Sequence, residues 1–451
     1  MSRVALSSTA SAGAQVTEVV GLEARKPVTR NRRATPAGAI LLSSATVSSG
    51  VLAYVFHVAA ARTLGASLYG LVAALWAAMF ITIVVLFRPL EQTTSRAIAD
   101  RVVRGEEVRS VVRSVTFIYV VLACVIAAGG LLFFGPLNRT LFLGHSAFTI
   151  ALLVGTIAYG AAYVVRGACS GLRWFNGYGI GLLADGGVRL LVLVPVVLLG
   201  TGRHAAAAVA AAAVAAAALG GAIAPLAAGR RELAPLLRRG IGVHFHLGSA
   251  AAFAAPAAAI AAADQLLVNG GPLFVMLSGG EDAGKVAGVV FAATMIVRIP
   301  VFVFTGLAAS LLPNLTKLNA EGDTAGLRSL LERALFLFSA FAAGIVVFGA
   351  TIGPPVLSAV YGSDFRVGRL PLALLGVAAG GYLAAATLAQ ALLALDRGRV
   401  AALVWCAAAV GFVLGYLFVP GDQMMRIAIS TAAATVGIAV VSTVLLVRRR
   451  A

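Results

Sequence analysis

The sequence predicts an all-α polytopic membrane protein with about twelve transmembrane helices in two six-helix lobes. Its 451 residues are 60% hydrophobic and only 12% charged, with a mean hydropathy of +0.98. A soluble chain averages roughly 45–50% apolar and about 25% charged residues. The apolar residues form blocks of about 20, the length at which a helix crosses the hydrocarbon of a bilayer. A third observation, an internal repeat, predicts the two lobes.

Twelve apolar blocks are the predicted spans, at 37–61, 68–90, 112–135, 146–169, 179–200, 204–228, 248–277, 283–313, 332–353, 370–394, 399–419 and 424–447. These spans divide the chain into five parts. They are a disordered basic cytoplasmic tail without a signal peptide (1–36), an N-lobe (37–228), a cytoplasmic linker (229–247), a C-lobe (248–447) and a basic cytoplasmic end (448–451). Arg88-Pro89 is interpreted as the end of the second span, with a gate as the alternative. The alanine-rich sixth span is interpreted as a tightly packed scaffold helix, because small side chains let helices approach closely in lipid.

The distribution of basic residues predicts the orientation in the membrane. Of the 35 Lys and Arg residues, 26 fall on the side of the N-terminal tail, seven on the opposite side, and two, Arg189 and Arg298, inside spans. Cytoplasmic segments of membrane proteins carry such an excess, so both termini are predicted in the cytoplasm. The net charge of +18 is therefore interpreted as a topology signal, with the lipid bilayer and its anionic headgroups as partner. Nucleic acid is not an expected partner.

An internal repeat relates the two halves of the chain. Leu64-Gly65 to Gly70 match Ser278-Gly279 to Gly284, Leu143-Gly144 matches Tyr361-Gly362, and the segment 171–176 matches 394–399. Each half contains six predicted spans, so both halves have the same orientation in the membrane. The repeat predicts two lobes related by a pseudo-twofold axis along the membrane normal, an arrangement typical of alternating-access carriers.

A polar face runs along the first predicted span. Ser43, Thr46, Gly50, Tyr54 and His57 fall within about 80° of one another on a helix. Polar groups in hydrocarbon either line a cavity or form hydrogen bonds with a neighbouring helix, and both interpretations stay open. Ser43, Tyr54 and His57 are therefore candidates for substrate binding, and His57 is also a candidate proton relay.

Arg298, in the eighth predicted span, is the strongest single candidate for substrate binding. It shares one helix face with Thr294 and Thr305, although Pro300 is expected to kink the helix between them. A guanidinium stays charged in a membrane and presents a planar fork that suits phosphate. The alternative is a snorkelling arginine, or one paired with Asp264 of the seventh span.

Two acidic residues lie deep inside predicted spans, away from the span ends. Asp264 stands between Pro256 and Pro272, and proline inside a span predicts a broken helix, where carriers often place coupling sites. Asp264 is thus the candidate for ion coupling, with a structural cap or counter-ion as the alternative. Asp185 and Arg189 are spaced i, i+4, which predicts a structural ion pair on one helix face.

The chemistry-bearing residues form no enzymatic pattern. The sequence contains no Gly-rich phosphate loop with a Lys, no HExxH and no metal-ligand spacing. An embedded glycan polymerase or ligase would need a large outer loop, and the longest predicted outer loop is 354–369. The expectation is a protein that is not an enzyme, without a metal or cofactor other than H⁺ or Na⁺ as a coupling ion. A scaffold for glycan assembly that transports nothing is a further alternative.

Three segments carry a resemblance to a known family. Ala61-Arg62-Thr-Leu-Gly65-Ala-Ser-Leu-Tyr69-Gly70, then Asp264-Gln-Leu-Leu-Val followed by Arg298-Ile-Pro300, and then Tyr361-Gly362-Ser-Asp-Phe365 resemble the polysaccharide transporters. These oligosaccharide flippases are part of the multidrug/oligosaccharidyl-lipid/polysaccharide (MOP) superfamily. The resemblance extends over roughly residues 40–420 and implies the MATE-like fold of that superfamily.

The resemblance also implies a function. A protein of this family moves an undecaprenyl-diphosphate-linked oligosaccharide across the cytoplasmic membrane of a bacterium by alternating access, for cell-surface polysaccharide synthesis. The resemblance therefore implies a lipid-linked glycan as substrate and glycan-assembly enzymes as candidate partners. It also implies that Arg298 is the residue that receives the diphosphate. The alternative within the superfamily is a multidrug or metabolite antiporter that is coupled to an ion through Asp264 or His57.

Overall fold

The computed structural model describes residues 36–237, 247–309, 324–395 and 397–447, and its regular structure is helical throughout these ranges. The α-helices, in chain order, are α1 (Pro36–Arg104), α2 (Arg109–Leu132), α3 (Phe134–Phe142), α4 (Ser146–Gly171), α5 (Phe175–Leu199), α6 (Arg203–Ala228), α7 (Leu247–Ser278), α8 (Ala283–Ala309), α9 (Thr324–Thr351), α10 (Gly353–Tyr361), α11 (Arg369–Ala394), α12 (Gly398–Phe418) and α13 (Gln423–Val447). The predicted tail up to residue 35, much of the predicted linker and the predicted basic end fall outside the described residues.

The longest helix, α1, contains two of the predicted spans. It is interrupted at Gly65, where φ is 73° and ψ is 171°, a conformation that a residue with a side chain rarely adopts. Gly65 therefore divides α1 into a first arm (36–64) and a second arm (66–104). The second arm continues through Pro89, so the helix does not end at Arg88-Pro89, whereas the end of the second span there stays a prediction. Membrane helices tolerate an internal proline because neighbouring groups satisfy the backbone groups that it frees.

Within the described residues, nine helices are long and apolar enough to cross a membrane. One of the nine, Leu41–Arg104, includes both arms of α1, and the bent pair Ser339–Thr351 and Gly353–Tyr361, which meets at 70°, is a tenth candidate. The predicted eighth span coincides with α8 as far as that helix is described. Each of the twelve predicted spans thus lies on a helix or an arm, which confirms the multi-pass membrane fold.

The pseudo-twofold repeat is visible in the helices. The short helices α3 and α10 have nine residues each, and the helices that follow them, α4 and α11, have 26 residues each. The repeat-related Gly65 and Gly279 both have positive φ. Gly70 and Gly284 touch each other, since a Cβ on Gly70 would lie 1.8 Å from the Gly284 carbonyl oxygen. Equivalent residues that touch must lie beside the axis, so the two predicted six-helix lobes, α1–α6 and α7–α13, meet there.

Two further predictions concern single helices. The alanine-rich α6 is buried along most of its length, which confirms that it is a packed scaffold helix. The seventh span was predicted to be broken, but α7 runs as one helix through Pro256 and Pro272. The prediction is wrong because the glycines next to Pro272 allow close packing and do not interrupt the helix. A Cβ on Gly270 would lie 3.3 Å from Phe412, and a Cβ on Gly271 would lie 3.1 Å from Val290.

Candidate transport site

A cavity lies inside the C-lobe, between α7, α8, α11 and α13. Its empty volume, counted with the open space at its mouth, is about 590 Å³. Most of its wall is apolar, and its polar lining residues are Thr294, Arg298, Tyr382, Thr431 and Thr435. An apolar cavity with a few polar groups in fixed positions is the usual form of a small-molecule site.

Arg298 is the charged residue of this wall. Thr294 and Arg298 are one helical turn apart on α8 and both face the cavity, as their spacing predicts. The guanidinium carbon of Arg298 lies 5.6 Å from the centre of the Tyr382 ring, within reach of a cation–π contact. Thr305 also lies on α8, in a stretch where the structure describes only the backbone.

Asp264 lies on α7, beside the cavity. Its Oδ2 atom accepts a hydrogen bond from Gln265 Nε2 at 3.0 Å, and Gln265 Oε1 accepts one from Asn269 Nδ2 at 2.8 Å. Its Oδ1 atom is buried and has no hydrogen-bond partner among the described residues. Tyr382 interacts with the Asp264 carboxylate through a side-chain hydrogen bond and Arg298 through its charge, but the described contacts contain no direct ion pair between Asp264 and Arg298. The predicted alternative of a closed pair is therefore not what this structure contains.

Arg88 is a second arginine near the cavity, and sequence reasoning assigned it only to a helix end or a gate. It is exposed on the second arm of α1. Its charge acts on Asp264 and Tyr382 of the C-lobe and on Glu91 of its own lobe. Arg88 is therefore within electrostatic range of both lobes, and two guanidinium groups act on the carboxylate of Asp264.

The N-lobe contains a buried network around the predicted ion pair. Arg189 Nη2 lies 2.7 Å from Asp185 Oδ1, so the predicted pair is present. The Tyr159 hydroxyl donates to the same carboxylate oxygen at 2.8 Å and accepts from Arg189 Nη2 at 2.8 Å. The guanidinium of Arg189 also lies 4.8 Å from the centre of the Trp76 ring. The structural role of the pair stays a prediction, but its geometry is that of a locked interior network.

Arg166 completes this network and was missed. It is not among the candidates drawn from the sequence, although it lies inside the predicted span 146–169. In the structure it is buried, and its Nη2 atom is 3.5 Å from Asp185 Oδ2. A charged residue inside a predicted span is itself a signal of a buried partner, and that signal was available in the sequence.

The polar face of the first arm is divided between two environments. Ser43 and Thr46 are exposed at its inner end, whereas Tyr54 is half-buried and His57 is fully buried. His57 Nδ1 is 3.2 Å from the Tyr69 hydroxyl, and the His57 ring packs 4.9 Å from that of Phe291 in the other lobe. In this structure His57 thus lies in a packed contact between the lobes and not on the wall of the C-lobe cavity.

Comparison with known structures identifies the fold class of the chain. No protein-family model matches the chain. The chain resembles a MATE-family multidrug resistance transporter of the MOP superfamily in its inward-facing conformation, with a TM-score of 0.68 and 16% identity over 87% of this chain and 93% of the other. The chain has the MATE fold. The predicted fold class is therefore confirmed, whereas an identity this low does not extend to the activity.

Other proteins are similar to this chain in fold or in sequence. The outward-facing conformation of such a transporter gives a TM-score of 0.61 over 91% of this chain and 95% of the other. A MOP superfamily transporter from Pyrococcus furiosus, described as having a binding pocket of reverse polarity, gives 0.60 over the same shares at 15% identity. An uncharacterized protein of Mycobacterium tuberculosis is 28% identical over 404 residues, which is 88% of this chain and 89% of that protein.

Proposed function

We propose that this protein is an alternating-access transporter that moves an anionic, lipid-linked oligosaccharide across the cytoplasmic membrane. The observation that carries the proposal is the position of the Arg298 guanidinium on the cavity wall. Among the described contacts, this guanidinium forms no direct ion pair with a carboxylate. A charge at such a depth is costly unless a ligand or partner compensates it. A diphosphate headgroup would do so with bidentate hydrogen bonds.

The balance of charge supports an anionic cargo. Around the cavity and in the N-lobe network, electrostatic interactions connect four arginines with three carboxylates, Glu91, Asp185 and Asp264. The excess of one positive charge lies in the N-lobe network, where Arg166 and Arg189 share Asp185, whereas Arg88 and Arg298 are equal in number to Glu91 and Asp264. On the cavity wall itself the charged residue is Arg298, which favours an anionic ligand over a lipophilic cation.

The position of the cavity suggests which part of the cargo it would hold. Its empty space of about 590 Å³ includes the open space at its mouth, so the enclosed part is small and would have to widen as the lobes move. The diphosphate would enter it beside Arg298, the sugars would occupy the space between the lobes, and the polyprenyl tail would stay in the lipid. For such a cargo we propose that the protein lies in a bacterial cytoplasmic membrane with both termini in the cytoplasm. Glycan-assembly enzymes would supply the substrate.

Reconstituted vesicles test the proposed function. Purified protein would be placed in vesicles that carry an undecaprenyl-diphosphate oligosaccharide with a fluorescent sugar, and a membrane-impermeant quencher would measure the fraction in each leaflet. We expect the label to exchange between leaflets only in vesicles that contain the protein. Exchange at the rate of empty vesicles, together with uptake of a lipophilic cationic dye, would exclude the lipid-linked cargo.

One observation favours a second candidate, an ion-coupled multidrug or metabolite antiporter. Asp264 Oδ1 is buried without a hydrogen-bond partner among the described residues, and an unsatisfied carboxylate oxygen of this kind suits a proton or Na⁺. The MATE transporters that share this fold include multidrug resistance proteins. If Asp264 couples transport to an ion, Asp264→Asn would abolish the dependence of transport on pH or Na⁺ while Gln265→Ala would keep it.

A further inference from the structure

Two of the segments that carry the family resemblance, 61–70 and 361–365, meet between the lobes on the predicted outer side. Arg62, at the end of the first arm, donates from Nε to the Val360 carbonyl at 2.7 Å and from Nη2 to the Ala359 carbonyl. Both carbonyls belong to the last turn of α10, whose carbonyl groups lack partners within the helix and carry partial negative charge. Arg62 thus caps a helix of the opposite lobe.

Aromatic side chains close the space next to this cap. The Tyr69 ring centre lies 6.3 Å from that of Tyr361 and 5.7 Å from that of Phe365. All three residues are buried, although they come from opposite lobes. Phe291 of α8 packs against Tyr69 at 6.2 Å and also lines the C-lobe cavity. The aromatic contact therefore joins the predicted outer side to the candidate transport site.

The backbone contact on the pseudo-twofold axis completes the closure. A Cβ on Gly288 would lie 2.3 Å from the Ala66 carbonyl oxygen, and one on Gly284 would lie 2.8 Å from that of Ser67. The start of the second arm and the start of α8 thus touch through their main chains. Because the packing leaves no room for a side chain, a shift of α8 by about an ångström would separate these surfaces.

We propose that Arg62, Tyr69, Gly70, Gly284, Tyr361 and Phe365 form an outer latch, which holds the lobes together at the outer face while the inner end of the first arm is exposed. Arg62 is its positioning residue. The Arg62 side chain is exposed, so its guanidinium and the two carbonyls are rehydrated at once when the lobes part. Such a bond can be broken and remade in each transport cycle. The latch rests on the proposed alternating access, and it fixes which contacts must break for the outer side to open.

Cysteine labelling tests the latch without any cargo. In a chain whose native Cys124, Cys169 and Cys406 are replaced by alanine, Ala66→Cys puts a thiol at the buried contact. A membrane-impermeant maleimide added to intact cells then reports opening of the outer face. We expect Arg62→Ala to raise the labelling rate several-fold, because the closed outer face loses two hydrogen bonds from a charged donor.

Two matched controls accompany this measurement. Arg139 is also an arginine of the predicted outer side, but it donates only to Gly135 of its own helix at 3.4 Å, so Arg139→Ala should leave the rate unchanged. Ser67→Cys, at an exposed position, should react quickly with and without Arg62, which shows that the variant is folded and that this side faces outward. An unchanged rate in Arg62→Ala, an equal rise in Arg139→Ala, or an unreactive Ser67→Cys would overturn the latch. None of these outcomes depends on transport, so the proposed function can fail separately.

Discussion

Replacement of Arg298 by alanine is expected to weaken binding of undecaprenyl diphosphate by about 100-fold. A guanidinium that holds a phosphate with two charge-assisted hydrogen bonds contributes about 3 kcal/mol or more, and each 1.4 kcal/mol is a factor of ten in Kd. Arg298 is the cation among the described lining residues of the cavity, so the diphosphate would lose its direct charged contact there. Arg298→Lys should recover part of the affinity, because lysine keeps the charge but not the planar fork.

The dissociation constant can be measured on purified protein in detergent, with Arg399→Ala as the matched control. Arg399 is exposed at the start of α12 and lies away from the cavity lining. The control should bind as the unaltered protein does. Equal losses in Arg298→Ala and Arg399→Ala would assign the effect to overall charge, and full binding by Arg298→Ala would remove Arg298 from the site.

The largest effect on stability is expected from Asp185→Ala. This change leaves Arg166 and Arg189 buried without their shared carboxylate. Loss of one partner of a buried ion pair costs about 3–5 kcal/mol, because the remaining charge stays in a medium of low dielectric constant. We therefore expect the variant to have a markedly lower Tm in detergent or to fail to accumulate in the membrane.

The exposed pair of Arg104 and Glu106 provides the control for this stability measurement. Its atoms are 2.8 Å apart, close to the 2.7 Å between Arg189 and Asp185, but the Arg104 side chain is 60% exposed. An ion pair in water contributes about 0–1 kcal/mol, so Arg104→Ala should leave the Tm almost unchanged. Similar Tm values for Asp185→Ala and Arg104→Ala would show that the N-lobe network does not hold the fold.

Most of the fold could be predicted from the sequence, because lipid imposes strong rules on it. Apolar length determines where a helix can span the membrane, and the order of repeated segments gave the two lobes. The match of Gly65 with Gly279 was a weak signal in isolation, and both residues have positive φ in the structure. Proline misled the prediction of a helix end at Pro89 and of a helix break at Pro256 and Pro272, because the backbone stays helical there.

The site could be predicted only in part, because its residues are distant in the chain. Thr294 and Arg298 lie one turn apart on a single helix, so periodicity brought them together. Arg88 acts on Asp264, which is 176 residues further along the chain, and no local pattern links the two. Likewise the sequence identified the motif around Arg62, but its partners Ala359 and Val360 are 297 and 298 residues away. Contacts of this kind are set by the packing of the lobes.

The sign of the charge that the protein binds tests the central claim most directly. Purified protein would be titrated with undecaprenyl diphosphate and, separately, with a lipophilic cationic dye, each with and without competing inorganic diphosphate. The guanidinium of Arg298 on the cavity wall predicts that the lipid diphosphate binds at least about 100-fold more tightly than the dye, a difference of about 2.8 kcal/mol. It also predicts that inorganic diphosphate competes. Tighter binding of the dye, with no competition by diphosphate, would contradict an anionic cargo.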